Sequence, residues 1–207
     1  MSFPSQLQLR FIIKPAWFLA CLAPFLWLLL ALFEMAGQSL GPEPIEAIQD
    51  HMGIWGLRLL LLTLALTPLR RLTGKSWWIQ LRRMSGLFTL FYISCHFLNY
   101  LVLDQNFDWP FIWEDILERP FITIGVLALL AMIPLGITST NRWMKRLGKR
   151  WRKLHRLVYP IGILGCWHFW WQVKEDILEP LVYASILAVL LGIRIWHART
   201  RAMRDSG

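Results

Sequence analysis

His96 and His168 are the residues of this sequence best suited to chemistry. Each lies inside a long apolar run, 13 positions after Arg83 in one case and 15 after Lys153 in the other. At 1.5 Å per residue, both imidazoles stand about 20 Å along their helices, at nearly one depth. A ligand-forming side chain inside an apolar span is costly and points to function. Neutral imidazole is a good axial ligand for haem iron, and two histidines on facing helices at one depth can clamp one haem. The alternative for either residue is a hydrogen bond to a carbonyl across a helix interface, and the matched depth favours the ligand pair. Cys95 precedes His96 without forming a C-x-x-C-H motif, so any haem is b-type rather than covalently attached.

His155 lies 13 positions before His168, about 20 Å lower on the same run, deep enough to serve a second redox centre. Rotation works against a shared helix face: 13 residues at 100° leave the two side chains about 140° apart, unless Pro160 kinks the helix. The third run has Arg82, Arg83 and Met84 at that level rather than a histidine, so no second bis-histidine haem is expected. His51 and His197 lie at the ends of runs and are expected to be solvated or capping residues. Cys21, Cys95 and Cys166 are expected to be small apolar packing residues.

These side chains must be positioned by membrane helices. The chain has 207 residues, of which 56% are apolar and only 17% charged, with mean hydropathy +0.45. That is more apolar surface than a soluble chain of this length can hide. Six stretches satisfy the requirement of about 20 apolar residues per span: 16–36, 53–70, 84–103, 120–140, 154–173 and 178–197. The N-terminal run is too long for a signal sequence and lacks a cleavage site, so it is expected to remain as the first span. The expected architecture is all-α: one polytopic domain over 1–207, without an evident internal repeat.

The net charge of +9 does not mark a nucleic-acid protein, because the charges sit in short blocks between spans. One side collects 19 of the 22 basic residues and a single acid, Asp205. The other collects 12 of the 13 acids, with Arg58, Arg119 and Lys174 as its basic residues. By the positive-inside rule both termini are expected in the cytoplasm.

The stretch from Trp151 to Tyr159, with His155 thirteen positions before His168, resembles the fifth helix of ferric reductase-like transmembrane proteins. Within that superfamily the chain is most similar to the MsrQ (YedZ) family. The matching segments are Pro24-Phe25-Leu26-Trp27, Ile48 to His51, Thr67-Pro68-Leu69, Arg82-Arg83 with His96, Thr138-Ser139-Thr140 and Leu147-Gly148-Lys149. The resemblance implies a haem b subunit of the bacterial inner membrane. It would serve a periplasmic molybdenum-containing methionine sulfoxide reductase, MsrP, that repairs oxidised envelope proteins. It also implies FMN, and electrons from the quinone pool or a cytosolic flavin reductase. His96, His155 and His168 match the family's haem-associated histidines, with His96 and His168 expected on the iron. Arg82 and Arg83 match a basic pair that would hold flavin phosphate; a positive-inside anchor explains that pair equally well. Double-haem relatives carry a second histidine on the third helix, and this chain does not.

With no G-x-G-x-x-G or P-loop pattern, the expected role is electron transfer rather than substrate chemistry. Two other classes fit six apolar spans. A transporter would show broken midplane helices and inverted repeats, and a haem-free membrane scaffold would use its histidines for packing. Absorbance of the purified protein separates both from a cytochrome.

Overall fold

Caps and prolines set where the helices begin. The computed structural model describes residues 4–173 and 177–205. Helix α1 (Gln6–Leu32) starts at Ser5, whose hydroxyl accepts from the Gln8 amide while the Gln8 side chain accepts from the Ser5 amide. Helix α2 (Pro44–Thr73) opens on proline, whose missing N–H costs nothing in a first turn. It is followed by α3 (Trp78–Asp104) and by α4 (Trp109–Glu118), which Asp108 caps through the Phe111 amide. Helix α5 (Pro120–Ile137) again opens on proline. Thr140 caps α6 (Asn141–Leu147). Gly148, at φ +50, breaks it from α7 (Lys149–Leu154). A 3₁₀ turn over His155–Leu157 leads into α8 (Val158–Gln172), and α9 (Leu178–Asp205) ends the described chain.

Five of these helices, α1, α2, α3, α5 and α9, are long and apolar enough to cross a membrane, and the chain is a multi-pass membrane protein. The expected fifth span, 154–173, holds a helix of 15 residues, about 22 Å, preceded by the 3₁₀ turn. The second span is longer than expected. Helix α2 begins nine residues before 53, so Glu46, Asp50 and His51 are helical rather than in a loop. Helix α4 was not foreseen in the 104–119 connection. It is tied down by Asp115, which is 5% exposed and receives hydrogen bonds from Arg119 Nε (2.7 Å) and the Tyr100 hydroxyl (2.8 Å). Lys174, Glu175 and Asp176 of the 174–179 connection lie outside the described residues.

Lipid offers no water to satisfy backbone groups that prolines disturb, and in α1 and α2 a side chain does so instead. Beside Pro24, the Tyr92 hydroxyl accepts from the Phe25 amide and donates to the Cys21 carbonyl. Pro68 cannot donate to the Leu64 carbonyl, and Arg194 Nη2 does so instead. After Pro134, the Thr138 hydroxyl donates to the Pro134 carbonyl (2.6 Å) and closes α5. Pro160 falls in the first turn of α8, where proline does no harm, and the break between His155 and His168 is the 3₁₀ turn before it.

Helix α2 is the centre of the bundle: more than half of its most apolar stretch is buried, against about a fifth in the other spans. One core cluster joins Leu57, Leu60 and Leu64 of α2 to Met132 of α5, Ile161 of α8 and Leu187 of α9. A second joins Cys21 and Leu28 of α1 to Leu59 of α2 and Tyr92 of α3. Outward faces are apolar as well, as on α5, where Leu127, Leu130, Ile133 and Ile137 are exposed at helical spacing. Such a contiguous apolar exterior needs lipid around it.

Candidate cofactor site

The two expected histidines meet. His96 on α3 and His168 on α8 face each other across the bundle, with ring centroids 6.0 Å apart and ring planes at 87°. His96 Nδ1 donates to the Gln49 carbonyl of α2 (2.9 Å), and His168 Nδ1 donates to the Phe121 carbonyl of α5 (2.7 Å). A carbonyl only accepts, so both rings carry their proton on Nδ1 and keep the lone pair on Nε2. The Gln49 side-chain amide, 3.3 Å from His96 Nε2, donates to that lone pair.

Glycines bring the rings this close to their carbonyls. A Cβ on Gly53 would lie 3.0 Å from His96 Nδ1 and 3.1 Å from its Cε1. A Cβ on Gly125 would lie 2.9 and 3.0 Å from the same atoms of His168. Both glycines stand one helical turn after the accepting carbonyl, at Gln49 and Phe121, so each ring rests on bare backbone.

The rings open into a cavity of about 1020 Å³ between α2, α3, α5 and α8. Its deep walls are apolar, with Leu57, Ile93, Leu129 and Ile161 among them. Its mouth, toward the acidic loops, carries Glu46, Asp50, Glu179, Arg58 and Arg119. Arg58 Nε donates to the Tyr183 hydroxyl (2.7 Å), and its Nη2 is 3.8 Å from Glu179. Buried Asn99 donates to the Gln49 side chain (2.7 Å) and the Ile45 carbonyl (3.2 Å), while its own Oδ1 has no partner.

These residues fit a haem rather than a bare ion. Among the described residues, no three His, Cys, Asp or Glu side chains converge as a bare ion requires. Two imidazoles suffice for a haem, which would bring its own nitrogens to the metal. The facing rings, with centroids 6.0 Å apart, and the apolar cavity beside them suit such a macrocycle, and Arg58 and Arg119 stand among the acids at its mouth, where its carboxylates would meet them.

The other sequence candidates are dispersed. His155 sits on the 3₁₀ turn, stacked on Trp151 at 3.9 Å, and its Nε2 donates to the Thr138 hydroxyl (3.2 Å). Trp151 Nε1 donates to the Thr138 carbonyl (3.0 Å), so Thr138 fastens this turn to the end of α5. Arg82 and Arg83 part company. Arg83 is exposed and donates to Asn141 (2.9 Å), while half-buried Arg82 lies in the electrostatic neighbourhood of His155, Tyr159 and Arg194. His51, expected to be solvated or capping, instead bonds the Pro24 carbonyl (2.9 Å) and stacks on Trp27. His197 bonds the Ile193 carbonyl of its own helix. The three cysteines are free, two of them buried. Sequence reasoning missed Gly53, Gly125, Gln49 and Asn99; a glycine 43 positions before each central histidine was the available signal.

A family profile described as "Ferric reductase like transmembrane component" matches residues 52–166. The chain is 50% identical over 199 residues to "Protein-methionine-sulfoxide reductase heme-binding subunit MsrQ" of Xanthomonas campestris pv. campestris (strain B100), covering 93% of this chain and 91% of that one. The Rhodospirillum rubrum protein of the same name is 49% identical over 191 residues, covering 92% and 89%. No solved structure matches the chain.

Proposed function

The chain belongs to the ferric reductase-like transmembrane family, and from that premise we propose that it is the haem b electron-transfer subunit of a bacterial methionine sulfoxide reductase system. The observation that carries this reading is the facing pair His96 and His168, each with Nδ1 tied to a carbonyl so that Nε2 keeps the lone pair that would bind iron, which at His96 would take the place of the Gln49 amide 3.3 Å away. Haem supplies reversible one-electron chemistry when bound. His96 and His168 would hold its iron, and Arg58 and Arg119 are the two arginines of the cavity lining that would meet its carboxylates. With two imidazoles of this chain on it, the iron would offer no position to a sulfoxide, so the chain would hand electrons to a catalytic partner.

The positive-inside rule puts the basic face and both termini in the cytoplasm, with the chain in the inner membrane. Electrons enter at that face from a cytosolic flavin reductase or the quinone pool. Arg82, Arg83 and His155 there serve the entry, and FMN phosphate is an anion that suits the arginines. Electrons leave at the acidic face to a periplasmic molybdenum-containing catalytic subunit of the MsrP type. The names of the relatives support the partnership, since each is a haem-binding subunit of a methionine sulfoxide reductase.

The test is absorbance of the purified protein and of His96→Ala and His168→Ala. The wild type is expected to show a low-spin bis-imidazole Soret band, and each variant to lose most of the haem or turn high-spin. A low-spin spectrum retained in both variants refutes the assignment. A colourless wild type returns the chain to the transporter and scaffold classes.

A further inference from the structure

The two histidine seats are the same seat, built twice. His168 follows His96, Gly125 follows Gly53 and Phe121 follows Gln49 by one offset, since 168 − 96, 125 − 53 and 121 − 49 are all 72. Within each set the ring bonds a carbonyl 47 positions earlier, at 2.9 Å in one and 2.7 Å in the other. The glycine approaches agree to about 0.1 Å, from the same two ring atoms. The carrier helices run the same way: α2 and α5 descend from the acidic face, and α3 and α8 return to it. The hairpin α2–α3 is therefore repeated, in the same direction, as α5–α8. The sequence hides this repeat because most other pairs at that offset differ, as Gln49 and Phe121 do.

We infer that Gly53 and Gly125 are equivalent positioning residues for the haem ligands, each letting a backbone carbonyl one turn earlier fix the ring opposite. This rests on the haem reading above. A methyl group at either site would stand about 0.5 Å inside ordinary contact distance of the ring. The contact is with the ring itself, which is already held by its Nδ1–H bond, so the imidazole must leave its carbonyl or turn off the iron axis. Both seats would respond alike, because their geometry is alike.

The experiment compares Gly53→Ala and Gly125→Ala with Gly192→Ala, where an added Cβ meets nothing within 4 Å. Expected for both seat variants is a shift of the ferric spectrum toward five-coordinate high-spin, reversed by free imidazole; unfolding would not be rescued that way. The Gly192 variant should keep the wild-type spectrum. A colourless wild type defeats the haem reading itself. Unaltered low-spin spectra in both seat variants overturn the positioning role, and a response at one seat alone overturns the equivalence. Should a seat variant fail to accumulate, the ring can be untethered first. His96→Gly should bind free imidazole about tenfold more tightly than the same chain with Gly53→Ala, the worth of one ordinary hydrogen bond. Equal affinities overturn the proposal.

Discussion

Replacing Tyr92 with Phe removes one oxygen and tests how the first span tolerates Pro24. Tyr92 is fully buried, and its hydroxyl bonds both the Phe25 amide and the Cys21 carbonyl, each at 2.9 Å. In an unbroken helix those two backbone groups would bond each other. Side-chain hydrogen bonds inside membrane proteins are worth about 0.6 kcal/mol on average and about 1.7 at most, so two of them amount to roughly 1–3 kcal/mol. The ring stays, so no cavity term is added. The helix could recover this by closing so that Phe25 and Cys21 bond directly, but it is pinned on both sides. Trp17 donates to Ser85 (2.9 Å), and His51 holds the Pro24 carbonyl (2.9 Å). Reversible unfolding in mixed micelles, followed by tryptophan fluorescence, should therefore show a loss of roughly 1–3 kcal/mol, with the haem spectrum unchanged. A loss below about 0.5 kcal/mol would refute the reasoning, because the helix would then have closed without resistance from its pins.

Three further outcomes follow from the geometry. Were haem bound between imidazole planes kept at 87°, two iron d orbitals would be nearly equal in energy, and ferric EPR should show a highly anisotropic low-spin signal with one dominant low-field feature; a rhombic three-line spectrum would contradict that ring orientation in the loaded protein. Arg194→Met leaves the Leu64 carbonyl and the Tyr159 hydroxyl without their donor and should cost about 1–3 kcal/mol in the same unfolding assay, with no change on neutral replacement of exposed Arg199. Neutralising Glu43, Glu46, Asp50 and Glu118, all exposed on the acidic face, should slow haem oxidation by the catalytic partner at low salt and flatten its salt dependence; a rate indifferent to both would place docking elsewhere. Asp115 does not belong in that set, because Arg119 and Tyr100 already use its carboxylate.

What was legible in the sequence was depth. Counting from Arg83 and Lys153 put His96 and His168 at one level, and the structure brings those rings together. Rotation was harder to read. Adjacent Arg82 and Arg83 look like one site, yet neighbours on a helix point about 100° apart, so one turns to the bundle and the other to Asn141. Helix ends were misread where polar residues continue a helix past the apolar zone, as Glu46 and Asp50 do at the start of α2. The short helix α4 escaped notice because its burial rests on Ile112 and one buried carboxylate rather than on a long apolar run. The seats themselves are made by backbone carbonyls and missing side chains, which no pattern of side-chain chemistry displays.

The repeat also bears on the basic face. Under the same offset His155 corresponds to Arg83, because 155 − 83 is again 72. The two hairpins thus offer matched histidines toward the acidic face and unmatched residues toward the basic one. The structure carries the mismatch through: Arg83 turns outward to Asn141, while His155 is taken by Thr138 and Trp151 at the end of α5. Among the described residues, no glycine stands against either side chain as Gly53 and Gly125 stand against the central pair. The repeated hairpin thus pairs like residues, His96 and His168, at one level and unlike ones, Arg83 and His155, at the other. On the haem reading proposed above, chemistry at the basic face would rest on charge and on what the arginines bind, and the redox level would lie toward the acidic face.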